Sequence, residues 1–119
     1  MARYTLSEKN DFAPDGGILN FLREMRPEAF FLCNPNNPTG RLADGALLKE
    51  ILALCEKLGT YLFADECFLD LTDGGESLKP FLTRCPRLFI LKAFTKSYGM
   101  AGLRLGYGLC ADKELLQKM

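Results

Sequence analysis

Short apolar runs separated by polar segments define most of the predicted elements of this chain. Four runs, at residues 30–33, 61–64, 88–91 and 105–110, are apolar at nearly every position. A strand with one solvated face alternates apolar and polar residues, whereas a strand covered on both faces does not. The four runs therefore predict strands that are covered on both faces. Residues 3–6 predict one more short strand.

Helical periodicity appears between these runs. Asp44 is a suitable N-cap and Gly59 a suitable residue just past a helix C-terminus, so a helix is predicted between them. Apolar residues recur at helical spacing and predict its buried face, which comprises Leu47, Ile51, Leu54, Cys55 and Leu58. Another helix is expected over residues 18–26, ended by Pro27.

The other segments predict less regular structure. Residues 72–86 contain two glycines and two prolines, which indicates a loop with at most a short helix near 78–82. Residues 98–102 predict a turn or short helix. Asp112 is a plausible N-cap for a helix over residues 113–119.

The order of elements predicts an α/β fold. Alternating strands and helices favour a mostly parallel sheet with right-handed crossovers, packed as part of a three-layer sandwich. The connection over residues 96–105 is too short for a parallel crossover, which needs about a dozen residues or more. The last strand is therefore predicted to run antiparallel to its neighbour.

Composition narrows the class of protein. The chain has 119 residues, and its 15 basic and 15 acidic residues cancel. This balance gives no indication of a nucleic-acid surface or a basic membrane patch. No apolar run approaches the roughly 20 residues that cross a bilayer, and the first residues lack the apolar core of a signal peptide. We therefore expect a cytoplasmic protein.

Cysteine and histidine usage excludes several kinds of site. The five cysteines form no CxxC pair and the chain has no histidine, so neither a zinc site nor Ser-His-Asp catalysis is expected. The irregular spacing and odd number of cysteines favour buried, reduced thiols.

Three motifs follow the first three strand runs. They are residues 34–40 (NPNNPTG), residues 64–66 (ADE), and residues 95–97 (TKS) followed by 102–104 (GLR). Ligands bind at the carboxyl ends of the strands in open α/β sheets. We therefore expect an amide, a carboxylate, an amine and a guanidinium to meet at one edge of the sheet.

This set of groups suits a flat, cationic, phosphorylated aldehyde. Asp65 can pair with a protonated ring nitrogen, and Asn37 can donate to a ring oxygen. Lys96 can form an imine, and Arg104 offers a planar fork to a phosphate. Lys92 is the rival amine, four residues earlier and within or at the end of a strand.

Each of these residues also has an ordinary structural interpretation. Asp65 can cap a strand end or pair with an arginine, and Asn37 can belong to a rigid turn without a ligand. Lys96 and Arg104 can be solvated surface residues. The order and spacing of the three motifs together favour the binding site.

The motifs resemble those of the fold-type I pyridoxal-phosphate enzymes, the class I and II aminotransferases. The resemblance covers nearly the whole chain from about Leu6. It implies that pyridoxal 5'-phosphate is held by Asn37, Asp65, Lys96 and Arg104, with Lys96 as the Schiff-base lysine. The branch that these motifs resemble most is that of histidinol-phosphate aminotransferase and threonine-phosphate decarboxylase. The resemblance rests on residues 65–68 (DECF), 77–80 (SLKP) and 101–107 (AGLRLGY).

Two positions depart from the family pattern. Many members carry a tyrosine where this chain has Phe68, so a hydrogen bond from that position to the ring hydroxyl is lost. A phosphate-binding serine or threonine is common at the position of Ala93, and Thr95 is a candidate substitute.

The resemblance also implies an organisation for the whole chain. Residues 1–119 would be the central part of the cofactor-binding large domain, truncated at both ends. The parent would be a self-associating (homo-oligomeric) aminotransferase-like enzyme acting on a small amino acid or amine. Resemblance to the branch implies that this substrate carries a phosphate. The alternatives are a threonine-phosphate decarboxylase of cobalamin synthesis and a folded fragment without activity.

Overall fold

A computed structural model describes residues 1–118 and contains one four-stranded sheet. The strands are β1 (Ala29–Cys33), β2 (Tyr61–Asp65), β3 (Leu88–Ala93) and β4 (Gly106–Cys110). They lie side by side in chain order. β1, β2 and β3 are parallel, and β4 runs antiparallel to β3. The predicted mixed α/β fold and the reversed last strand are both confirmed.

Four α-helices connect and flank the strands: α1 (Gly17–Met25), α2 (Gly45–Leu58), α3 (Phe94–Ser97) and α4 (Lys113–Lys118). Four single 3₁₀ turns lie in the loops, at Glu8–Asn10, Leu69–Leu71, Lys79–Phe81 and Ala101–Leu103. The predicted short helix near residues 78–82 corresponds to the third of these turns. The final position of the predicted helix 113–119 lies outside the described residues.

The predicted caps of α2 are confirmed. The Asp44 carboxylate accepts hydrogen bonds from the backbone N–H groups of Ala46, at 2.9 Å, and Leu47, at 3.3 Å. Gly59 ends the helix in the left-handed region, at φ 74°. Its N–H thereby reaches the last carbonyls of the helix without the steric cost of a Cβ atom.

The buried face of α2 is rotated from the predicted one. Its fully buried residues are Leu48, Ile51, Leu52 and Cys55. Leu47, Leu54 and Leu58 lie at the edge of the core and are only partly buried. Helical spacing identified an apolar stripe, but the stripe was broad, and the positions of α1 and the sheet determined its centre.

The predicted strand at residues 3–6 is wrong, because this segment has no strand structure. Tyr4 instead donates a hydrogen bond to the carboxylate of Asp15, just before α1. Its ring packs edge-on against Phe21, with ring centroids 5.8 Å apart. These side-chain contacts tie the segment to α1.

The two faces of the sheet are covered differently. Side chains on one face pack with α1 and α2 into a single core that includes Ile18, Leu22, Leu48, Ile51, Leu62, Leu88 and Ile90. The register places Phe31, Phe63 and Phe89 in a row on the opposite face. Phe31 on β1 is 68% exposed, and β4 has no buried residue, so the expectation of two covered faces is wrong for β1 and β4. We call this second side of the sheet the open face.

Among residues 1–118, no helix combines the length and apolar character needed to cross a membrane.

Candidate active site

The asparagine-proline loop begins at the carboxyl end of β1. The N–H of Asn34 donates to the carbonyl of Asp65 at 2.9 Å, which continues the pairing beyond the strands. The buried Asn34 side chain accepts from the N–H of Ala43 at 2.8 Å. The Asn34–Pro35 and Asn37–Pro38 peptide bonds are both cis. Asn34 therefore holds the loop, and Asn37 lies exposed on it.

A pocket of about 260 Å³ connects this loop to the segment that follows β2. Asn37 and Pro38 line one side of it, and Phe68 and Leu71 line the other. Asn37 and Phe68 therefore line the same cavity.

Asp65 is the last residue of β2 and pairs in register with Cys33 on β1 and Leu91 on β3. Strand alternation places it on the open face together with Phe63. Its Oδ1 accepts a hydrogen bond from the N–H of Cys67 at 3.0 Å. No arginine among residues 1–118 forms an ion pair with it. The strand-end capping bond is present, whereas the arginine partner is not.

Two thiols lie close to the Asp65 carboxylate. Burial and the negative charge of Asp65 raise the pKa of Cys33. Burial, together with a hydrogen bond to Asp65, raises the pKa of Cys67 to about 12. Both thiols therefore stay protonated near neutral pH. All five cysteines are unbridged, as predicted, but only Cys55 is fully buried.

Lys96 lies in α3, directly after β3, and its side chain is exposed. Its ammonium is 5.7 Å from the centroid of the Phe68 ring, within the range of a cation–π contact. The neighbouring Ser97 hydroxyl is buried and has no hydrogen-bond partner among the described residues. An unpartnered buried hydroxyl is unusual in a folded protein, because its desolvation is uncompensated.

Lys92 lies on the other side of the sheet. Its Nζ is 2.8 Å from Asp70 Oδ1 and 3.5 Å from Glu66 Oε2. Burial lowers the pKa of Lys92, but the hydrogen bond to Asp70 and the charge of Glu66 outweigh it and leave the pKa raised. A lysine held in its protonated form is a poor nucleophile, so the structure argues against the rival amine.

Arg104 follows the 3₁₀ turn before β4 in the left-handed region, at φ 47°. It lines a groove of about 540 Å³ on the open face, together with Thr95, Cys67 and Phe89. The guanidinium and the hydroxyl of Thr95 therefore border the same space.

Two adjacent residues connect these parts of the site. Cys67 binds Asp65 and lines the groove of Arg104, and Phe68 lines the pocket of Asn37 and lies under Lys96. All four predicted residues thus lie around the carboxyl edge of the parallel strands, on one side of the sheet. Asn37 lines one cavity and Arg104 lines the other, whereas Asp65 and Lys96 line neither of these two.

Sequence reasoning missed the structural roles of Asn34 and Glu66. Glu66 is only 1% exposed and accepts hydrogen bonds from Ser77 and Leu78. A charged residue placed directly after a buried strand was the available signal. Its partners, however, lie more than ten residues away in the chain.

Comparison with known proteins identifies the family. The family described as aminotransferase class I and II matches this chain over residues 1–119. The chain belongs to the class I and II aminotransferases. This family depends on pyridoxal phosphate.

Two curated relatives illustrate the similarity. The chain is 35% identical over 117 residues to a threonine-phosphate decarboxylase from Salmonella typhimurium, which covers 98% of this chain and 32% of the relative. It is 31% identical over 111 residues to a histidinol-phosphate aminotransferase from Ruminiclostridium cellulolyticum. That match covers 92% of this chain and 30% of the relative. The chain thus spans about a third of the length of these aminotransferase-family relatives.

Solved structures show the same fold. A histidinol-phosphate aminotransferase from Clostridium acetobutylicum superimposes with a TM-score of 0.80 at 29% identity, covering 91% of this chain and 32% of that one. A decarboxylase from Sulfurospirillum multivorans gives a TM-score of 0.85 at 26% identity. The superposition covers 98% of this chain and 30% of that one. The four-stranded sheet is therefore a segment of the aminotransferase fold.

Proposed function

We propose that this chain is the central part of the large domain of a pyridoxal-phosphate enzyme. The parent would be a transaminase or decarboxylase acting on a small amino acid or amine. The observation that carries the proposal is the placement of Asp65 and Lys96 at the carboxyl ends of adjacent parallel strands. β2 ends at Asp65, and β3 leads directly into the helix of Lys96.

The chemistry of the available donors fits the cofactor. An amide, a carboxylate, an amine and a guanidinium surround one edge of the sheet, and they match a ring hydroxyl, a ring nitrogen, an aldehyde and a phosphate. The Ser97 hydroxyl, next to Lys96, is buried without a hydrogen-bond partner among residues 1–118, which supports a polar site that takes a further group.

The bound cofactor supplies an electron sink for charge that develops at the substrate α-carbon. Asp65 would keep the ring nitrogen protonated, because a nearby negative charge favours the charged form. Asn37 would donate to the ring hydroxyl, and Arg104 with Thr95 would hold the phosphate.

Lys96 would have two tasks. Its amine would hold the cofactor at the aldehyde carbon, and as a free amine it would accept or donate a proton at the substrate α-carbon. Its exposed position above Phe68 leaves the amine accessible. Lys92 cannot replace it, because Lys92 lies on the opposite side of the sheet from Asp65 and is paired with two carboxylates.

Similarity favours a decarboxylase as the second candidate. The match to the threonine-phosphate decarboxylase covers 98% of the chain at 35% identity, and a decarboxylase superimposes with a TM-score of 0.85. A phosphorylated amino acid or amine is the substrate class that we propose from these relatives. The third candidate is a folded chain that associates through its open face and has no turnover of its own.

Reductive labelling tests the proposed cofactor site. Pyridoxal phosphate is added to the purified chain, the product is reduced with borohydride, and the modified lysine is mapped by peptide mass spectrometry. We expect the label at Lys96 and not at Lys92, no specific label in Lys96→Ala, and normal labelling in the exposed-site variant Lys49→Met. Asp65→Asn should weaken binding about 10- to 100-fold, because a charge-assisted hydrogen bond contributes about 1.5 to 3 kcal/mol.

Label spread over surface lysines such as Lys49 and Lys79, with no loss in Lys96→Ala, would contradict the proposed site. Turnover assays with an amino donor and an oxo acid, or with a phosphorylated amino acid, then separate the transaminase from the decarboxylase and from an inert chain.

A further inference from the structure

A buried polar cluster lies behind the proposed site, on the helix-covered side of the sheet. Glu66 Oε2 accepts from the Ser77 hydroxyl at 2.7 Å, and Oε1 accepts from the N–H of Leu78 at 2.8 Å. The ammonium of Lys92 is 3.5 Å from Glu66 and 2.8 Å from Asp70. Three charged side chains and a hydroxyl are thus joined in one network.

Burial makes this network costly unless it stays complete. The side chains of Glu66 and Lys92 are only 1% and 9% exposed, whereas that of Asp70 is 52% exposed. A charge with so little access to water requires a partner. The Glu66–Lys92 contact and the hydrogen bonds to Ser77 and Leu78 supply those partners, so the cluster holds these residues together.

Chain order gives the cluster its relation to the site. Glu66 directly follows Asp65, and strand alternation sends the two carboxylates to opposite sides of the sheet. When Glu66 is held, the direction of Asp65 is held as well. The network also closes both ends of the segment 66–78, which includes Cys67 and Phe68, the two residues that line the proposed cavities.

We propose that Glu66 and Lys92 are positioning residues that fix Asp65 and Phe68 against the space beside Lys96. They touch neither cofactor nor substrate and act through the segment that they hold. This inference rests on the proposed function, because it gives the cluster a role in that site.

The test combines backbone exchange with cofactor affinity. In the double variant Glu66→Gln/Lys92→Met, both buried charges are removed, so neither remains unpaired in the core. We expect amide hydrogen exchange at Cys67 and Leu69, whose N–H groups donate to Asp65 and Glu66, to become at least about tenfold faster. The dissociation constant for pyridoxal phosphate should rise about 10- to 100-fold, because displaced site residues lose their alignment.

An exposed ion pair that joins α2 to the same segment provides a matched control. Lys49 and Glu76 are 3.1 Å apart, and both side chains are more than half exposed. Lys49→Met/Glu76→Gln makes the same chemical changes but removes exposed charges instead of buried ones. It should leave exchange and affinity within about twofold of wild type. Lys92→Arg, which retains the positive charge beside Glu66, should keep the dissociation constant for pyridoxal phosphate closer to the wild-type value than the double variant does.

Unchanged exchange and affinity in a folded double variant would overturn the inference. If that variant does not fold, amide hydrogen exchange of the wild-type chain serves as the test. A Cys67 amide that exchanges as fast as the amides of residues 72–75 would overturn the inference. A wild-type chain that binds no pyridoxal phosphate would contradict the proposed function separately. In that case, faster exchange confined to the 66–78 segment would still support the positioning role.

Discussion

The two faces of the sheet both carry apolar side chains but are covered differently. On the helix-covered face, Leu62 and Leu88 have no exposed surface, because α1 and α2 pack over them. On the open face, Phe31 and Phe63 stack with ring centroids 4.7 Å apart, yet Phe31 is 68% exposed. The first face stabilises the fold, and the second has the proposed site at its edge.

Substitutions on the two faces should therefore differ most in stability. Leu62→Ala should lower the free energy of unfolding by about 2 to 5 kcal/mol, because it leaves a cavity in the closed core. Phe31→Ala should cost about 1 kcal/mol, because it removes mainly an exposed stacking contact. Urea denaturation of both variants measures the difference, and equal losses would contradict the unequal covering of the two faces.

A tight contact on the open face offers an intermediate test. The Phe89 ring packs directly against Gly108 on β4, where an added Cβ would collide with it. Gly108→Ala should destabilise the chain by about 1 to 3 kcal/mol, because overpacking forces the ring or strand to move. Gly102→Ala is the control, since its Cβ would meet open space. A Gly108→Ala thermal midpoint equal to that of the control would show that β3 and β4 pack more loosely.

A hydrogen bond on the helix-covered side should make the stability of the chain depend on pH. The hydrogen bond from Tyr4 holds the pKa of Asp15 below its usual value and raises the pKa of Tyr4 to about 12. The Asp15 contribution to stability is present above about pH 3.9 and is lost as pH falls through the lowered pKa. The Tyr4 contribution is present below about pH 10 and is lost as pH rises through its raised pKa.

Tyr4→Phe should therefore cost about 1 kcal/mol near neutral pH. It should also reduce the loss of stability at both extremes of pH. Urea midpoints at about pH 3, 7 and 11 measure this, with the exposed Tyr98→Phe as control. A pH profile that Tyr4→Phe leaves unchanged would contradict the role of this pair.

Local sequence signals predicted much of the fold. The runs of β1, β2 and β3 were apolar enough to be recognised, and the caps Asp44 and Gly59 depend on neighbouring backbone groups. The strand at residues 3–6 was wrong because the decisive contact, Tyr4 with Asp15, joins residues eleven positions apart. Propensity alone does not account for such a contact.

The candidate site, like the fold, was predictable only where local sequence signals were sufficient. Asp65 and Lys96 were recognised because each follows a strand run within a distinctive motif. Glu66 was not recognised, because its role depends on Lys92 and Ser77, which come together only in the folded chain. Lys92 stayed a rival amine for the same reason, since the sequence does not show which side of the sheet it occupies.

The sequence by itself determined the succession of strands and helices, the reversed last strand and the motifs at the strand ends. These features depend on local propensity, on spacing along the chain and on the length of connections. Only the tertiary structure decided which face of the sheet is covered, which lysine is paired in the interior and what lies beneath Lys96. Those outcomes depend on burial and charge pairing between distant residues, which exist only once the chain has folded.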